Sequence, residues 1–168
     1  LNLGSYNYLG FADDWVETCG DRVFAALEAW PVTCGSSRSE LGTTSLHRDL
    51  ERQIAAFVGK ADAIVFNMGY GTNSTTIPAI VGKGDLILSD ALNHASSGNG
   101  CRASGAVIRS FRHNDADAGE RARREAIALG VPRTRRPWRK ILVMVEGIYS
   151  MEGGICDLKA IAAVCKRY

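Results

Sequence analysis

The sequence predicts an α/β fold in which a mostly parallel sheet is flanked by helices. Three observations carry that expectation. Short apolar runs recur along the chain, at Ala63-Ile-Val-Phe66, Leu86-Ile-Leu88, Ala106 to Phe111 and Ile141-Leu-Val-Met-Val145. Stretches with helical periodicity separate them, as parallel βα units require. Glycines and polar residues follow the runs, as in Glu146-Gly-Ile-Tyr-Ser-Met-Glu-Gly-Gly154, and open α/β sheets bind ligands at that carboxyl edge.

Residues 1–40 differ from the rest. Tyr6, Tyr8 and Phe11 precede an amphipathic helix from about Val16 to Trp30, followed by a small-residue loop, Thr33-Cys-Gly-Ser-Ser-Arg-Ser39. Arg38 stands there among backbone groups free of bulky side chains, so the loop is either a candidate anion or substrate contact or an ordinary turn. Ser45 is the expected N-cap of a helix whose Leu46, Leu50, Ile54, Phe57 and Val58 share a face, with Gly59 as its C-terminal cap. The Ala63 run reads as a strand. The loop Asn67-Met-Gly-Tyr-Gly71 then leads into a short helix toward Ile80 that Pro78 ends or bends.

Gly82-Lys-Gly-Asp85 is a turn and Leu86 begins the next strand. Asn93 to Ser104 reads as helical despite its glycines, and Ala106 to Phe111 as a third strand. A charged helix, Ala116 to Leu129, and a basic loop with Pro132 and Pro137 lead to the Ile141 run, which reads as a fully buried parallel strand. Asp157 caps a last helix whose apolar face carries Leu158, Ile161 and Val164.

Of the 168 residues 46% are apolar and 23% charged, enough for one sizeable core and short for two domains. A net charge of +2 gives no general electrostatic reason to expect nucleic acid. The basic clusters at Arg121 to Arg124 and Arg133 to Lys140 read as solvated surface. Cys19, Cys34, Cys101, Cys156 and Cys165 form no CxxC pair and leave an odd count, so they read as reduced thiols of a domain facing cytosol. No apolar run approaches the roughly 18 residues of a membrane helix, and no signal-peptide pattern opens the chain. Leu1 begins inside a motif-like segment and Tyr168 closes a helical pattern; both ends read as truncations.

Gly69 and Gly71, between a strand and a helix, form a candidate phosphate cradle from free N–H groups. A dinucleotide fold would use the same device, with Asp90 placed for the ribose, but Ser74 stands where the third glycine belongs. His94 lies just past a strand end, either as a satisfied structural histidine or as a flat ring stacked on an aromatic cofactor. Glu146 and Ser150 add a carboxylate and a hydroxyl at the same edge. Cradle, ring and hydroxyl together suit pyridoxal 5′-phosphate (PLP), with a nicotinamide site as the alternative. His47 and His113 have no such company and read as structural or surface residues.

Several segments carry a family resemblance. They are Gly4-Ser-Tyr-Asn-Tyr-Leu-Gly-Phe-Ala12, Ile77-Pro-Ala-Ile-Val-Gly-Lys-Gly84, Leu86-Ile-Leu-Ser-Asp90 with Leu92-Asn-His-Ala-Ser96, Pro132-Arg-Thr-Arg-Arg-Pro-Trp138, and Val145-Glu-Gly-Ile-Tyr-Ser-Met-Glu-Gly153. In order they span nearly the whole chain, which resembles the α-oxoamine synthase family of PLP-dependent enzymes. The Pro132 to Trp138 segment and the tyrosine-rich start favour the catalytic long-chain-base branch, which condenses L-serine with palmitoyl-CoA, over branches making aminolevulinate, aminoketobutyrate or the biotin precursor.

The resemblance implies a PLP-dependent transferase of fold type I, of which this chain is an incomplete N-terminal half of the large domain. Residues 1–40 would be an N-terminal segment with a substrate-proximal loop, and 41–168 a partial PLP-binding domain ending before the lysine motif. His94 would stack on the pyridine ring, the Gly69–Tyr70 backbone would hold the phosphate, and Ser150 would hydrogen-bond near the phenolic oxygen with Glu146 supporting its turn. Asn7 would lie near the substrate carboxylate and Arg38 near the active site at a subunit interface. The implied reaction is a decarboxylating condensation to 3-ketodihydrosphingosine. The aspartate facing the pyridine nitrogen and the Schiff-base lysine would follow Tyr168, since Lys60, Lys83, Lys140, Lys159 and Lys166 stand in no matching context. A sister long-chain-base subunit would complete a heterodimer at the cytosolic face of the endoplasmic reticulum, anchored by segments outside this chain. The alternatives are the non-catalytic partner subunit, which usually lacks the histidine found here at His94, or another α-oxoamine synthase.

Overall fold

The structure, a computed structural model, describes residues 4–7, 10, 12 and 14–168; Tyr8 and Phe11 lie outside the described residues. The chain forms two compact units, Leu1–Val65 and Phe66–Tyr168.

In the first unit a π-helical turn, Val16–Gly20, runs into α1 (Asp21–Ala29), so the expected helix from Val16 to Trp30 is present with a wider first turn. The second helix, α2 (Ser45–Val58), is capped by Thr44, not by Ser45. Thr44 has the extended backbone an N-cap needs, and it exchanges hydrogen bonds with His47 three residues on. Gly59 closes α2 in the left-handed region at φ 67°, where an L side chain would be strained.

The expected strand at Ala63 to Phe66 does not form. A strand needs a ladder partner, and this segment has none among the described residues. Side chains hold it instead: the Val65 N–H donates to Glu51 Oε1 at 2.9 Å, and the Val65 carbonyl accepts from Arg38 Nη1 at 2.7 Å.

The second unit is a three-stranded parallel sheet in the order β2-β1-β3: β1 (Leu86–Asp90), β2 (Val107–Phe111) and β3 (Ile141–Met144). Leu86, Ile87 and Leu88 are at most 1% exposed because β1 is central and covered on both faces. Each such side chain contributes about 1.5–3 kcal/mol of transfer free energy. Alternation divides the core. Ile87 faces α3 (Gly69–Ile80) and α4 (Ala95–Ser104) with Ile77, Val81 and Cys101, while Leu86 and Leu88 face α5 (Ala116–Leu129) with Phe111 and Ala126. The Ile141 run is parallel as expected but lies at the sheet edge among the described residues and is half-buried, not fully buried.

Past β3 the chain makes a small antiparallel hairpin, β4 (Ile148–Tyr149) with β5 (Gly154–Ile155), that the sequence reading did not contain. Its Tyr149, together with Cys156 and Ile161, joins a third apolar cluster under α6 (Leu158–Arg167), which Asp157 caps as expected. No helix among the described residues is long and apolar enough to cross a membrane.

Candidate cofactor site at the carboxyl edge

Helix α3 starts at Gly69, so the glycines read as loop belong to its first turn. Met68 precedes it and offers no side-chain cap. The first main-chain bond across that turn is Thr72 N–H to the Met68 carbonyl at 2.8 Å. The N–H groups of Gly69, Tyr70 and Gly71 therefore have no acceptor among the described residues, and a Cβ on Gly69 would meet nothing within 4 Å. Three open donors at the positive end of a helix suit a phosphate.

His94 stands beside that turn as the N-cap of α4. Its Nδ1 accepts the Ser96 N–H at 3.1 Å and lies 2.7 Å from Ser96 Oγ, which itself accepts from Asn73 Nδ2 of α3 at 3.0 Å. With Nδ1 accepting, a neutral ring carries its proton on Nε2. Tyr70 meets the imidazole edge-on at 6.1 Å between centroids, and its hydroxyl accepts a bond from Asn99. The imidazole remains exposed, which leaves a flat surface next to the open donors.

Close packing of α3 and α4 brings these groups together, and Gly100 permits it. A Cβ there would lie 2.5 Å from the Asn73 carbonyl oxygen and 2.9 Å from Ile77 Cδ1.

The end of β3 adds the other side of the edge. Glu146 accepts the His94 backbone N–H through Oε1. Asn93 donates to the Met144 carbonyl and to Ser89 Oγ, both at 2.9 Å, and accepts from the Tyr149 hydroxyl at 3.3 Å. That same phenol oxygen accepts the Glu146 N–H at 3.1 Å. Burial pushes the Tyr149 hydroxyl up to about 12, so it stays a neutral donor and acceptor.

The structure thus joins Gly69, Tyr70, His94 and Glu146 at one edge. Ser150 is exposed in the hairpin turn and makes no hydrogen bond to any of them among the described residues. Asn7 and Arg38 belong to the first unit. The Asn7 side chain accepts the Ala12 N–H at 2.9 Å. The Arg38 guanidinium is occupied, by Thr43 Oγ1 at 3.1 Å, Val65 O at 2.7 Å and Glu51 Oε1 at 2.7 Å, so it acts as a clamp on its loop. Bonds from Val65 and Arg38 hold the Glu51 carboxyl below its ordinary range.

The nicotinamide alternative fails on Asp90. That carboxylate is 2% exposed and already accepts from Leu92 N–H, His113 Nδ1 and Asn114 N–H, each at 2.9 Å, so it is spent on the fold and shut off from a ribose. Asn73, Asn93, Ser96 and Tyr149 are the residues sequence reasoning missed; Asn93, Ser96 and Tyr149 lay inside quoted motifs without a role.

Comparison with known proteins agrees with this architecture. The chain belongs to the aminotransferase class I and II family, which matches over residues 1–168. It is 56% identical over its whole length to long chain base biosynthesis protein 2a of Arabidopsis thaliana and 52% to serine palmitoyltransferase 2 of Dictyostelium discoideum, covering 34% of each. The chain therefore spans about a third of the length of these curated relatives. A serine palmitoyltransferase structure from S. paucimobilis, solved with bound PLP and myriocin, superposes with a TM-score of 0.79 at 36% identity, over 98% of this chain and 38% of that one. The 8-amino-7-oxononanoate synthase of Francisella tularensis shares the fold at 19% identity, with a TM-score of 0.72 over 96% of this chain and 41% of its own.

Proposed function

We propose that this chain is part of the catalytic subunit, the second long-chain-base type, of a serine palmitoyltransferase. That enzyme condenses L-serine with palmitoyl-CoA, releasing coenzyme A and carbon dioxide, to give 3-ketodihydrosphingosine, the first intermediate of sphingolipid synthesis. The observation that carries the reading is the uncapped start of α3 beside the exposed His94 ring. Those residues fit PLP: open N–H donors for a phosphate and a flat imidazole for an aromatic ring. When bound, PLP supplies an electron sink for a carbanion at the amino-acid Cα.

The residues of this chain bind and orient. Gly69, Tyr70 and Gly71 would hold the phosphate through their N–H groups, and His94 would stack, its ring fixed by Ser96 and, through Ser96, by Asn73. Glu146 holds the backbone of His94 in register with the hairpin. The exposed Ser150 hydroxyl is assigned to the phenolic oxygen and Asn7 to the substrate carboxylate, on the resemblance alone.

The Schiff-base lysine is assigned to sequence outside these residues. Two placements support this. Lys83 and Lys140 precede β1 and β3, at the amino edge opposite His94. Lys159 and Lys166 lie on α6, whose buried residues join the cluster on the α5 side of the sheet. A sister subunit, and attachment to the cytosolic face of the endoplasmic reticulum through segments outside these residues, complete the proposal.

The test is PLP titration of the full-length protein, followed by absorbance, with and without His94→Ala. The variant is expected to bind at least about tenfold more weakly, about 1.4 kcal/mol, and to lose condensation of labelled serine. Unchanged affinity and turnover would falsify the stacking role.

A further inference from the structure

His113 follows β2 at the same sheet edge, and nothing in the site above uses it. Its Nδ1–H donates to Asp90 Oδ1 at 2.9 Å, and its side chain is 25% exposed. Burial pushes the Asp90 carboxyl up, but bonds from Asn114, Leu92 and His113 outweigh that and leave it below its ordinary range. The His113 ring meets Tyr149 edge-on at 4.4 Å between centroids and 77° between planes. Gly154 of β5 faces Nε2, where a Cβ would stand 3.7 Å away.

The next residue strengthens the clasp. Asn114, in the left-handed region at φ 52°, donates from Nδ2 to the Ile155 carbonyl at 3.0 Å and accepts the Asp157 N–H at 2.7 Å. The loop after β2 therefore touches both strands of the β4–β5 hairpin, Tyr149 of β4 through His113 and Ile155 of β5 through Asn114. Tyr149, seated on His113, takes the Glu146 N–H, and Glu146 takes the His94 N–H. A continuous run of contacts leads from buried Asp90 through His113, Tyr149 and Glu146 to His94.

We infer that His113 is a positioning residue: tethered by Asp90, its ring is the stop on which Tyr149 seats, and Tyr149 sets Glu146 beneath the backbone of His94. A phenyl ring could fill the same space. It would leave a buried carboxylate one donor short and free the ring to turn, so the tether and the ring act together.

Amide hydrogen exchange in the full-length protein without added PLP reads this directly. His113→Ala is expected to speed exchange at the Glu146 and His94 amides by about tenfold or more, with a smaller rise in His113→Phe and no change at Ile87 and Leu88 in β1. A lower melting temperature with unchanged exchange at Glu146 and His94 would overturn the inference, as would a loss of protection spread evenly through β1. Should both variants fail to fold, Tyr149→Phe, which keeps the ring packing, must show the same two amides exchanging faster; unchanged exchange there also overturns it. A second arm rests on the PLP reading: His113→Ala should weaken PLP binding by about threefold or more and alter the circular dichroism of bound cofactor. If the unsubstituted protein binds no PLP, that reading fails, while the exchange result still decides the role of His113.

Discussion

Asn93 Nδ2 donates to the Met144 carbonyl at 2.9 Å, which ties the end of β3 to the residue before His94. The same amide serves Ser89 and Tyr149, so one side chain joins β1, β3 and the hairpin. The ladder between β1 and β3 ends at Ser89 and Met144, and there a side-chain amide takes the last carbonyl of β3.

Asn93→Ala should therefore cost about 1–3 kcal/mol, because it strands a half-buried carbonyl and a buried phenol. Denaturant midpoints of the full-length protein measure the cost, and PLP affinity should fall alongside. An unchanged midpoint would show that the amide is not the tie described here.

Gly100→Ala should destabilise by about 1–3 kcal/mol through overpacking. The added methyl would lie 2.5 Å from the Asn73 carbonyl oxygen, and α4 must shift away from α3. Since Asn73 also holds Ser96 Oγ, the shift should loosen His94 and lower PLP affinity, measured by thermal melting and cofactor titration of the same sample.

Much of this fold could be read from the chain, for local reasons. The helix Ala116–Leu129 has the bounds expected, and the caps at Gly59 and Asp157 stand as expected, because periodicity and capping residues act over one turn. The Ala63 run failed since apolar β-branched residues specify a strand only where a partner exists. The Ile141 run could not disclose that it lies at an edge among the described residues, as an apolar run has no period to show it. At the site, the glycines and His94 were visible as motif. Arg38 looked open in its loop, yet Glu51, its partner, is thirteen residues on. Tyr149 and Asn93 meet across fifty-six residues, beyond any local signal.

Asp85 yields a prediction in acid. This wholly buried carboxylate takes two bonds from Arg139, at 2.8 and 2.7 Å, and one from the Gly82 N–H at 2.8 Å. The Arg139 guanidinium holds it at about 2, against an ordinary 3.8. A depressed carboxyl contributes its stability fully above the unfolded value and loses it as pH falls through the folded one. Arg139→Met should thus lower the melting temperature most near neutral pH and by progressively less as pH falls toward about 2. A gap that widened toward acid would contradict the pairing.

Ser96→Ala removes the hydroxyl between Asn73 and the His94 ring but keeps the N–H that caps it. The fold should survive, at a cost of about 0.5–1.5 kcal/mol, while PLP affinity drops several-fold. Melting temperature and cofactor titration together separate the two effects. Wild-type affinity would mean that the backbone bond alone fixes the ring.

The most direct measurement is the structure of the full-length protein with PLP bound. The cofactor phosphate is expected about 2.7–3.2 Å from the N–H groups of Gly69, Tyr70 and Gly71, with its pyridine ring lying flat on His94. A phosphate bound away from the start of α3, or a pyridine ring with no contact to His94, would contradict it.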